Sequence, residues 1–513
     1  MSYLELLRLA SPEAVVVIGA LVVLTIGLVS SRATVVAGVS PAKPPTGAAA
    51  GSRLRRTATS WCSLVAVLGV VIAIAAVLVL PRNANLFGGM LVITPLTSLF
   101  KIICLALAFF TVCLVRSEKS LRHPGEYLAI ILLATVGLML LVGSEELLMI
   151  FIGLELLGLS LYVMAAFDRT DMRSAEAGLK YFLFGSTSSA FTLFGISLIY
   201  GMSGSTGLAA ISDKLAVAPV QPLLATGIIM TLIGFAFKIA AAPFHLWAPD
   251  AYQGAPIPSA AFIASGSKVA SFVVLGKIVL VGFGPVHGNA GWHAMVAGWS
   301  PVLAVLAALS ILIGNLVALA QTNVRRLLAY SAVAHAGYTL LGLVAGSRDG
   351  FSATLFYATI YAITLVGAFG VVAVVRSETG GDDLRNFSGL AGREPLLAGC
   401  MAVFMLSLAG IPPLAGFFGK FYLFSAALRA GGNYGLLWLV ALALFGSFVS
   451  LYYYLVVLKA IFVDEPSLTT ASSPDRSSSD LLQRITVAVL AAAILLLGLM
   501  PDTLAARILA AVS

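Results

Sequence analysis

The sequence predicts an all-α polytopic membrane protein with about fourteen transmembrane helices, and three observations lead to that prediction. Hydrophobic residues make up 60% of the 513 residues and charged residues only 10%, whereas soluble domains carry about 25% charged residues. Apolar runs of about 20 residues, the length that crosses a bilayer as a helix, recur along the chain. Lysine and arginine concentrate in alternate loops between these runs, as membrane topology requires.

Fourteen apolar segments are long enough to cross the hydrocarbon core of a bilayer. They run over residues 13–30, 61–80, 96–115, 127–143, 145–167, 177–202, 221–242, 257–283, 299–320, 327–346, 351–376, 396–427, 434–461 and 483–503. The first of them is predicted to remain as a membrane span rather than act as a cleaved signal, because it is about 18 residues long.

The loops predict the orientation of the chain. Loops on one side of the membrane carry 17 lysines and arginines, and loops on the other side carry 6. Because the basic loops face the cytoplasm, both termini are predicted on the periplasmic side of a bacterial inner membrane. The loops 31–57 and 465–481 are rich in Pro, Ala, Gly or Ser and are predicted to be disordered.

The composition excludes several classes of function. The net charge is +8, but the basic residues lie in membrane loops rather than in one patch, so no nucleic-acid partner is predicted. The four cysteines form no C-x-x-C pair, which argues against zinc or iron–sulfur sites. Neither a dinucleotide-binding glycine motif nor a phosphate-binding loop is present. No cofactor is therefore predicted on this chain.

Seven lysines fall inside the predicted spans, where an ionisable group costs about 2.5–3.5 kcal/mol at mid-membrane. They are Lys101, Lys180, Lys238, Lys268, Lys277, Lys420 and Lys459. Three of the seven, Lys101, Lys277 and Lys459, lie near span ends, where a long side chain reaches the interface. Glu145 and Glu146 stand at an outer boundary and are predicted to be solvated.

Two ionisable residues lie too deep in their spans for the side chain to reach the membrane interface. Glu155 is about ten residues into its span, or roughly 15 Å at a rise of 1.5 Å per residue, and glutamate is too short to reach water from there. Lys268 is near the midplane among glycine and serine residues, which leave room for water. The sequence favours a functional role for both residues.

Two further residues leave two interpretations open. Lys180 follows Arg173 and Glu176, so it either reaches an interface or acts within the membrane. His335 has small neighbours, and it is either a proton shuttle or a satisfied core histidine. His245 lies among prolines in the segment described next.

Two predicted spans are interrupted. Lys238 precedes the prolines of FKIAAAPFHLWAPDAYQGAP in span seven, and Lys420 follows the Gly and Pro residues of AGIPPLAGFFGK in span twelve. Proline removes a helix hydrogen bond, and unsatisfied carbonyls at membrane depth require protein or water partners. A kink without a transport role is the alternative for each.

The separation of these two spans predicts an internal repeat. They are five spans apart and so cross the membrane in opposite directions, which is typical of an inverted repeat. Four regions are predicted: 1–126 with three helices, 127–283 as the first five-helix repeat, 299–461 as the second, inverted repeat, and 462–513 as a loop and a last helix.

Four stretches of the sequence resemble the antiporter-like membrane subunits of proton-pumping NADH–quinone oxidoreductase (respiratory complex I). They are LELLGLSLYVMAAF, LKYFLFGS, FKIAAAPFHLWAPDAYQGAP and AGIPPLAGFFGKFYLF. Within that family the chain is most similar to the subunit N type, because the twelfth span carries a lysine. One departure is Gln253, where many relatives have an acidic residue.

The resemblance implies a set of site residues for proton transfer. Glu155 would be the carboxylate that partners Lys238, with Lys268 as the central lysine and Lys420 toward the exit or the next subunit. The auxiliary residues would be Lys180, His245 and His335.

The resemblance also implies partners. NADH, FMN, iron–sulfur clusters and quinone would bind to other subunits, and M-like and A/J/K-like membrane subunits would be the neighbours of this chain. A cation/proton antiporter subunit and a subunit of a ferredoxin- or hydrogenase-linked relative remain the alternatives.

Overall fold

The computed structural model describes residues 3–36, 48–116, 118, 121–217, 221–430, 435–465 and 478–512. Helices make up nearly all of the regular structure in these ranges, and the described strands are the two of one short antiparallel hairpin, β1 (Ala84–Leu86) and β2 (Leu91–Ile93). The predicted all-α polytopic membrane fold is confirmed.

The helices are numbered in chain order. The first eight are α1 (Tyr3–Leu9), α2 (Ser11–Val36), α3 (Ala48–Val79), α4 (Pro95–Val115), α5 (Pro124–Val142), α6 (Leu147–Ala165), α7 (Met172–Ser203) and α8 (Leu208–Val217). The next seven are α9 (Pro222–Lys238), α10 (Trp247–Gly254), α11 (Ile257–Ala264), α12 (Gly266–Lys277), α13 (Trp299–Ala318), α14 (Val324–Val344) and α15 (Arg348–Thr379). The last six are α16 (Leu390–Arg393), α17 (Pro395–Ala409), α18 (Ala415–Arg429), α19 (Leu437–Phe462), α20 (Ser478–Leu499) and α21 (Asp502–Val512).

Twelve helices among the described residues are long and apolar enough to cross a membrane. The shorter apolar helices α9 and α17 occupy the places predicted for the first parts of spans seven and twelve. The count of fourteen spans, the four regions and the inverted relation of the two halves stay predictions.

Side chains near the helix ends explain where several helices begin. Thr94 accepts a hydrogen bond from the Thr97 amide at the start of α4, and Pro95 occupies the first turn, where its missing N–H costs nothing. Glu146 accepts hydrogen bonds from the Leu148 and Met149 amides at the start of α6. Each cap satisfies amides that have no partner within the helix.

The first interruption lies after α9. The helix ends at Lys238, and the chain turns through residues 239–246 before α10 begins. The indole Nε1 of Trp247 donates to the carbonyl of Phe237 at 3.1 Å, which also accepts from the Ala240 amide at 3.0 Å. The amide of Ala242 donates to the Ser310 hydroxyl at 2.8 Å. The break is therefore supplied with protein partners, as membrane depth requires.

The second interruption separates α17 from α18. Gly410 ends α17 in the left-handed region with a φ of 87°, a conformation that suits glycine. The carbonyl of Ala409, the last residue of α17, accepts a hydrogen bond from the Lys420 Nζ at 3.0 Å. Both predicted interruptions are thus present, and each places a lysine beside the broken backbone.

The centre of the bundle is formed by α11, α12, α14 and α15. About nine tenths of the residues in these spans are buried, against 28% in the window at the start of α2. Burial on all faces explains why these helices show no polar stripe. Lys268, His335 and Lys420 all contact this centre.

Two sequence predictions about loops are partly wrong. Helix α2 continues to Val36 and α3 already begins at Ala48, so disorder is contradicted over 31–36 and 48–57, while 37–47 lies outside the described residues. Similarly, α20 begins at Ser478, and 466–477 lies outside the described residues. In both places an apolar helix extends into a polar segment, since helix propagation costs little once a packed span exists.

Predictions about residues near span ends are also corrected. Lys101 and Lys277 do not reach an interface, because both side chains are buried and each pairs with a carboxylate. Glu146 is buried rather than solvated, because its carboxylate caps α6. The Lys459 side chain is 66% exposed and lies 3.6 Å from Asp464, so its prediction is confirmed.

Candidate functional site

Lys238 is a buried lysine at the end of α9. Its Nζ atom has no hydrogen-bond partner among the described residues and lies 5.5 Å from the centroid of the Tyr162 ring. Gly158 on α6 makes room for it, since a β-carbon there would lie 2.8 Å from the Lys238 Nζ. A lysine held in this way has an aromatic face near its ammonium but no fixed hydrogen bond.

Glu155 lies on α6, one turn before Gly158. It is half-buried, and its carboxylate accepts a short hydrogen bond from the Ser189 hydroxyl on α7. No ion pair joins Glu155 to Lys238 in the described part of the chain, but Gly158, one turn from Glu155 on the same helix, lies against the Lys238 Nζ. The structure therefore places the two residues near one another without direct contact.

Lys268 lies near the start of α12, just after a bend at Ser265 that separates α11 from α12. Its Nζ donates a 2.8 Å hydrogen bond to the carbonyl of Ala332 on α14 and lies 5.3 Å from the centroid of the Tyr361 ring on α15. Lys268 is 2% exposed. Its contacts join α12 to the two other central helices.

His335 lies one turn beyond Ala332 on α14 and has a partner on each ring nitrogen. Its Nδ1 is 2.6 Å from the Tyr357 hydroxyl, and its Nε2 is 2.9 Å from the Tyr454 hydroxyl. His335 is thus held between two tyrosine hydroxyls in the interior of the bundle, one turn from the carbonyl that binds Lys268.

Lys420 is a buried lysine at the second interruption. Its Nζ donates to the Ser447 hydroxyl at 2.8 Å as well as to the Ala409 carbonyl, and it lies 5.1 Å from the centroid of the Tyr338 ring. Tyr338 continues the polar contacts, because its hydroxyl accepts a 2.8 Å hydrogen bond from Asn315.

His245 lies in the first interruption, between α9 and α10. Its side chain is buried, its Nδ1 has no hydrogen-bond partner in the part of the chain that the structure describes, and its ring centroid is 6.3 Å from that of Tyr330. A buried polar atom without a partner is uncommon in folded proteins. The imidazole is therefore available to a water molecule or a moving proton.

Lys180 stands apart from the buried lysines. Its side chain is 39% exposed and pairs at 2.7 Å with both Glu176 and Asp250. Asp250 also pairs with Arg326 at 2.7 Å, and Arg326 donates to Gln253. This half-exposed cluster links α7, α10 and α14 at one end of the bundle.

The pKa of Asp250 reflects two opposing influences. Burial raises it, but the hydrogen bonds and charges of Lys180 and Arg326 lower it more strongly, so the pKa lies below its ordinary value. Asp250 is therefore a stable anion that holds two cations. Its role could not be assigned from the sequence, because its partners are 70 and 76 residues away.

The structure places Lys268, His335 and Lys420 around the central helices α14 and α15, and it buries Lys238 against α6. We call Lys238, Lys268, His335 and Lys420 the polar series; His245 and Glu155 lie beside it, and Lys180 does not. Sequence reasoning missed the tyrosines that contact the series, namely Tyr162, Tyr338, Tyr357, Tyr361 and Tyr454. A tyrosine in an apolar helix gives no signal of its own, because it packs equally well as a core residue.

The chemistry available to the polar series is proton transfer. Lysine and histidine are the members that change charge, and hydroxyls and freed carbonyls supply hydrogen bonds between them. Ionisable groups facing the interior of a membrane bundle mark ion or proton pathways in transporters and pumps. Fold and site together define an antiporter-like polytopic membrane protein.

Comparisons with known proteins agree with that class. Residues 144–450 match the family model described as NADH:quinone oxidoreductase/Mrp antiporter, transmembrane. NADH-quinone oxidoreductase subunit N 2 of Acidobacterium capsulatum is 46% identical, over 98% of each chain. The chain belongs to the subunit N family of NADH-quinone oxidoreductases, and the predicted resemblance is confirmed.

Solved structures give the same result for the fold. A chain of respiratory complex I from Thermus thermophilus matches with a TM-score of 0.71 and 35% identity, covering 94% of this chain and 98% of that one. A chain of the Mrp complex from Dietzia matches with a TM-score of 0.77, covering 98% and 97% of the two chains. That second likeness has 21% identity and shows the fold alone.

Proposed function

We propose that this chain translocates protons as a membrane-arm subunit of an NADH-quinone oxidoreductase. The single observation that supports it most strongly is the polar series, in which His335 binds the Tyr357 and Tyr454 hydroxyls inside the bundle, one turn from the Ala332 carbonyl that binds Lys268. Such groups are costly in a membrane and are retained where they carry ions or protons. The coupling to NADH oxidation and quinone reduction is inferred from the names of the relatives.

The mechanism follows from how burial and charge act on a lysine. Burial disfavours the ammonium form, while a nearby carboxylate favours it. Lys238 holds its proton while Glu155 is charged and near, and releases it toward Lys268 when Glu155 moves or is neutralised. Lys268 passes the proton through His335 to Lys420, and His245 serves the entry side together with Lys180.

The driving reaction would take place outside this chain. NADH, FMN, iron–sulfur clusters and quinone would be bound by partner subunits, and quinone reduction there would be coupled to a shift along the polar series. This chain would act as an enzyme only as a subunit of that complex.

The position of Glu155 supports a neighbouring subunit. Glu155 is half-buried and lies about 12 Å along α6 from its start, at a rise of about 1.5 Å per residue. A carboxylate does not face lipid at that depth. We infer that this face of α6 and α7 contacts another membrane subunit, of the M-like or A/J/K-like kind.

The topology belongs to the same proposal. The positive-inside bias supports both termini on the periplasmic side of the inner membrane. The regions 127–283 and 299–461 would be the two inverted repeats, each with one broken helix and one lysine beside the break.

Substitution of Glu155 and Lys238 tests the proposed proton translocation. In vesicles containing the whole complex, Glu155→Gln and Lys238→Arg are expected to assemble but to lose most NADH-driven proton pumping, because arginine stays charged at working pH. Lys459→Arg is the matched control, since that lysine is exposed. Pumping by Glu155→Gln and Lys238→Arg at the control rate would refute the proposal.

A cation/proton antiporter subunit is the second candidate, which the family description and the fold of the Mrp chain favour. Co-purification separates the two: redox subunits accompany the chain in the first case, and sodium-dependent transport without them indicates the second. Redox subunits that use ferredoxin or hydrogen instead of NADH would indicate the third alternative.

A further inference from the structure

A second group of buried charges lies outside the polar series, at the end of the bundle that carries the N-terminus. It consists of Glu13 on α2, Lys101 on α4, Glu145 in the turn before α6 and Lys277 at the end of α12; we call it the four-residue ion cluster. Lys101 pairs with Glu13 at 2.6 Å, and Lys277 lies 3.5 Å from Glu145. With all four residues ionised, the cluster has no net charge.

The two lysines meet at the C-terminal end of α5. The Lys277 Nζ donates to the Val142 carbonyl at 2.9 Å. A β-carbon at Gly143 would lie 3.2 Å from the Lys101 Nζ, so that ammonium is beside the next residue of the chain. A helix C-terminus carries partial negative charge and free carbonyls, which favours cations there.

The two pairs differ in access to water. The Lys101 and Glu13 side chains are 1% and 9% exposed, and their short contact makes a closed pair. Lys277 is 3% exposed, but its partner Glu145 is 34% exposed and the contact is longer. Glu145 is held in place by its backbone, because its amide donates to the Gly89 carbonyl at 2.8 Å. The second pair therefore connects a buried cation to the surface.

The backbone beside Lys277 is also unusual. Residues Ile278–Gly282 form a π-helical turn directly after it, and the Phe283 amide donates to the Ile278 carbonyl at 2.8 Å. Single π-helical turns inside longer helices occur often at functional sites. Lys277 shares α12 with Lys268, nine residues earlier, which is about 13 Å along the helix.

We propose that Lys277 and Glu145 form a proton-release site for the first half of the chain, with Lys101 and Glu13 as its fixed counter-charges. In the release step an N–H bond of the Lys277 ammonium breaks and an O–H bond forms on a Glu145 carboxylate oxygen. Glu145 then gives the proton to water at its exposed side, and the neutral Lys277 amine accepts the next proton from the interior. This inference rests on the proposed function.

The test compares an arginine variant with an amide variant in vesicles containing the complete complex. Lys277→Arg keeps a cation for the ion pair but cannot release its proton, and Glu145→Gln removes the acceptor. Lys459→Arg is the matched control, because Lys459 also pairs with a carboxylate, at 3.6 Å, but is exposed. Assembled complex and pumping per NADH oxidised are measured for each.

We expect Lys277→Arg and Glu145→Gln to assemble and to show a loss of pumping that the control lacks. Wild-type pumping by an assembled Lys277→Arg variant would overturn the proposal, and so would failure of both variants to assemble, which indicates a structural ion pair. If Lys277→Arg alone fails to assemble, pumping by Glu145→Gln decides: its loss supports the proposal and its retention overturns it. If Lys277→Arg and Glu145→Gln pump normally while Lys238→Arg loses pumping, the release site is refuted and the proposed function stays intact.

Discussion

Gly158 and the ammonium of Lys238 lie so close that a β-carbon at position 158 would stand 2.8 Å from the Nζ atom. The relationship connects a small residue of α6 with the one lysine of the polar series that has no hydrogen-bond partner in the described structure. The space beside Gly158 therefore sets where the Lys238 ammonium rests relative to Glu155, three residues earlier on the same helix.

Gly158→Ala is expected to assemble and to pump more slowly. The atom that must move is the end of a flexible side chain, so the fold tolerates the methyl group while the ammonium is displaced. Proton pumping by vesicles, measured per assembled complex, checks this. Gly201→Ala on α7 is the control, because a β-carbon there meets nothing within 4 Å; equal pumping by both variants would contradict the prediction.

Tyr357→Phe is expected to leave the Nδ1 of His335 without its hydroxyl partner. An unsatisfied buried polar group costs about 1–3 kcal/mol, so both the thermal stability of the complex and its pumping rate are expected to fall. Tyr452→Phe removes an exposed hydroxyl from the neighbouring helix α19 and serves as the control. If Tyr357→Phe matches the control in stability and pumping, the Tyr357 hydroxyl does not hold the His335 imidazole.

Asp250→Asn is expected to remove a pH-dependent part of the stability. Because the folded-state pKa of Asp250 lies below its ordinary value, the ionised aspartate stabilises the fold above pH of about 4, and this stabilisation is lost as the pH falls through the folded-state pKa. The thermal midpoint of the wild type is therefore expected to exceed that of Asp250→Asn at neutral pH and to approach it in acid. Asp213→Asn, at an exposed position, controls for the loss of a charge; a constant gap between the midpoints at every pH would refute this account.

Glu394→Gln is expected to loosen the last membrane helix. Glu394 accepts two hydrogen bonds from Arg484, at 2.9 and 2.7 Å, which join the start of α17 to α20. Removing the carboxylate leaves a largely buried guanidinium short of its partner, at a cost of about 1–3 kcal/mol. The melting temperature of Glu394→Gln is expected to be lower than that of the control Glu126→Gln, which changes an exposed pair.

The sequence by itself determined the class of fold and the location of the breaks. Apolar runs of membrane-spanning length are local properties of the sequence, and so are the prolines that follow Lys238 and the Gly-Pro stretch that precedes Lys420. Each of these features acts within one helix. The depth of Glu155 and Lys268 within their spans could be estimated for the same reason, because the helical rise is fixed.

Only the tertiary structure decided which groups meet. The partners of His335, the closed pair of Lys101 with Glu13 and the attachment of Lys180 to Asp250 join residues far apart in the chain, and no local pattern encodes them. For Lys101 and Lys277 position within the span suggested exposure, but neighbouring helices cover them. Burial of a charge depends on what packs around a helix end, and that is a property of the assembled bundle.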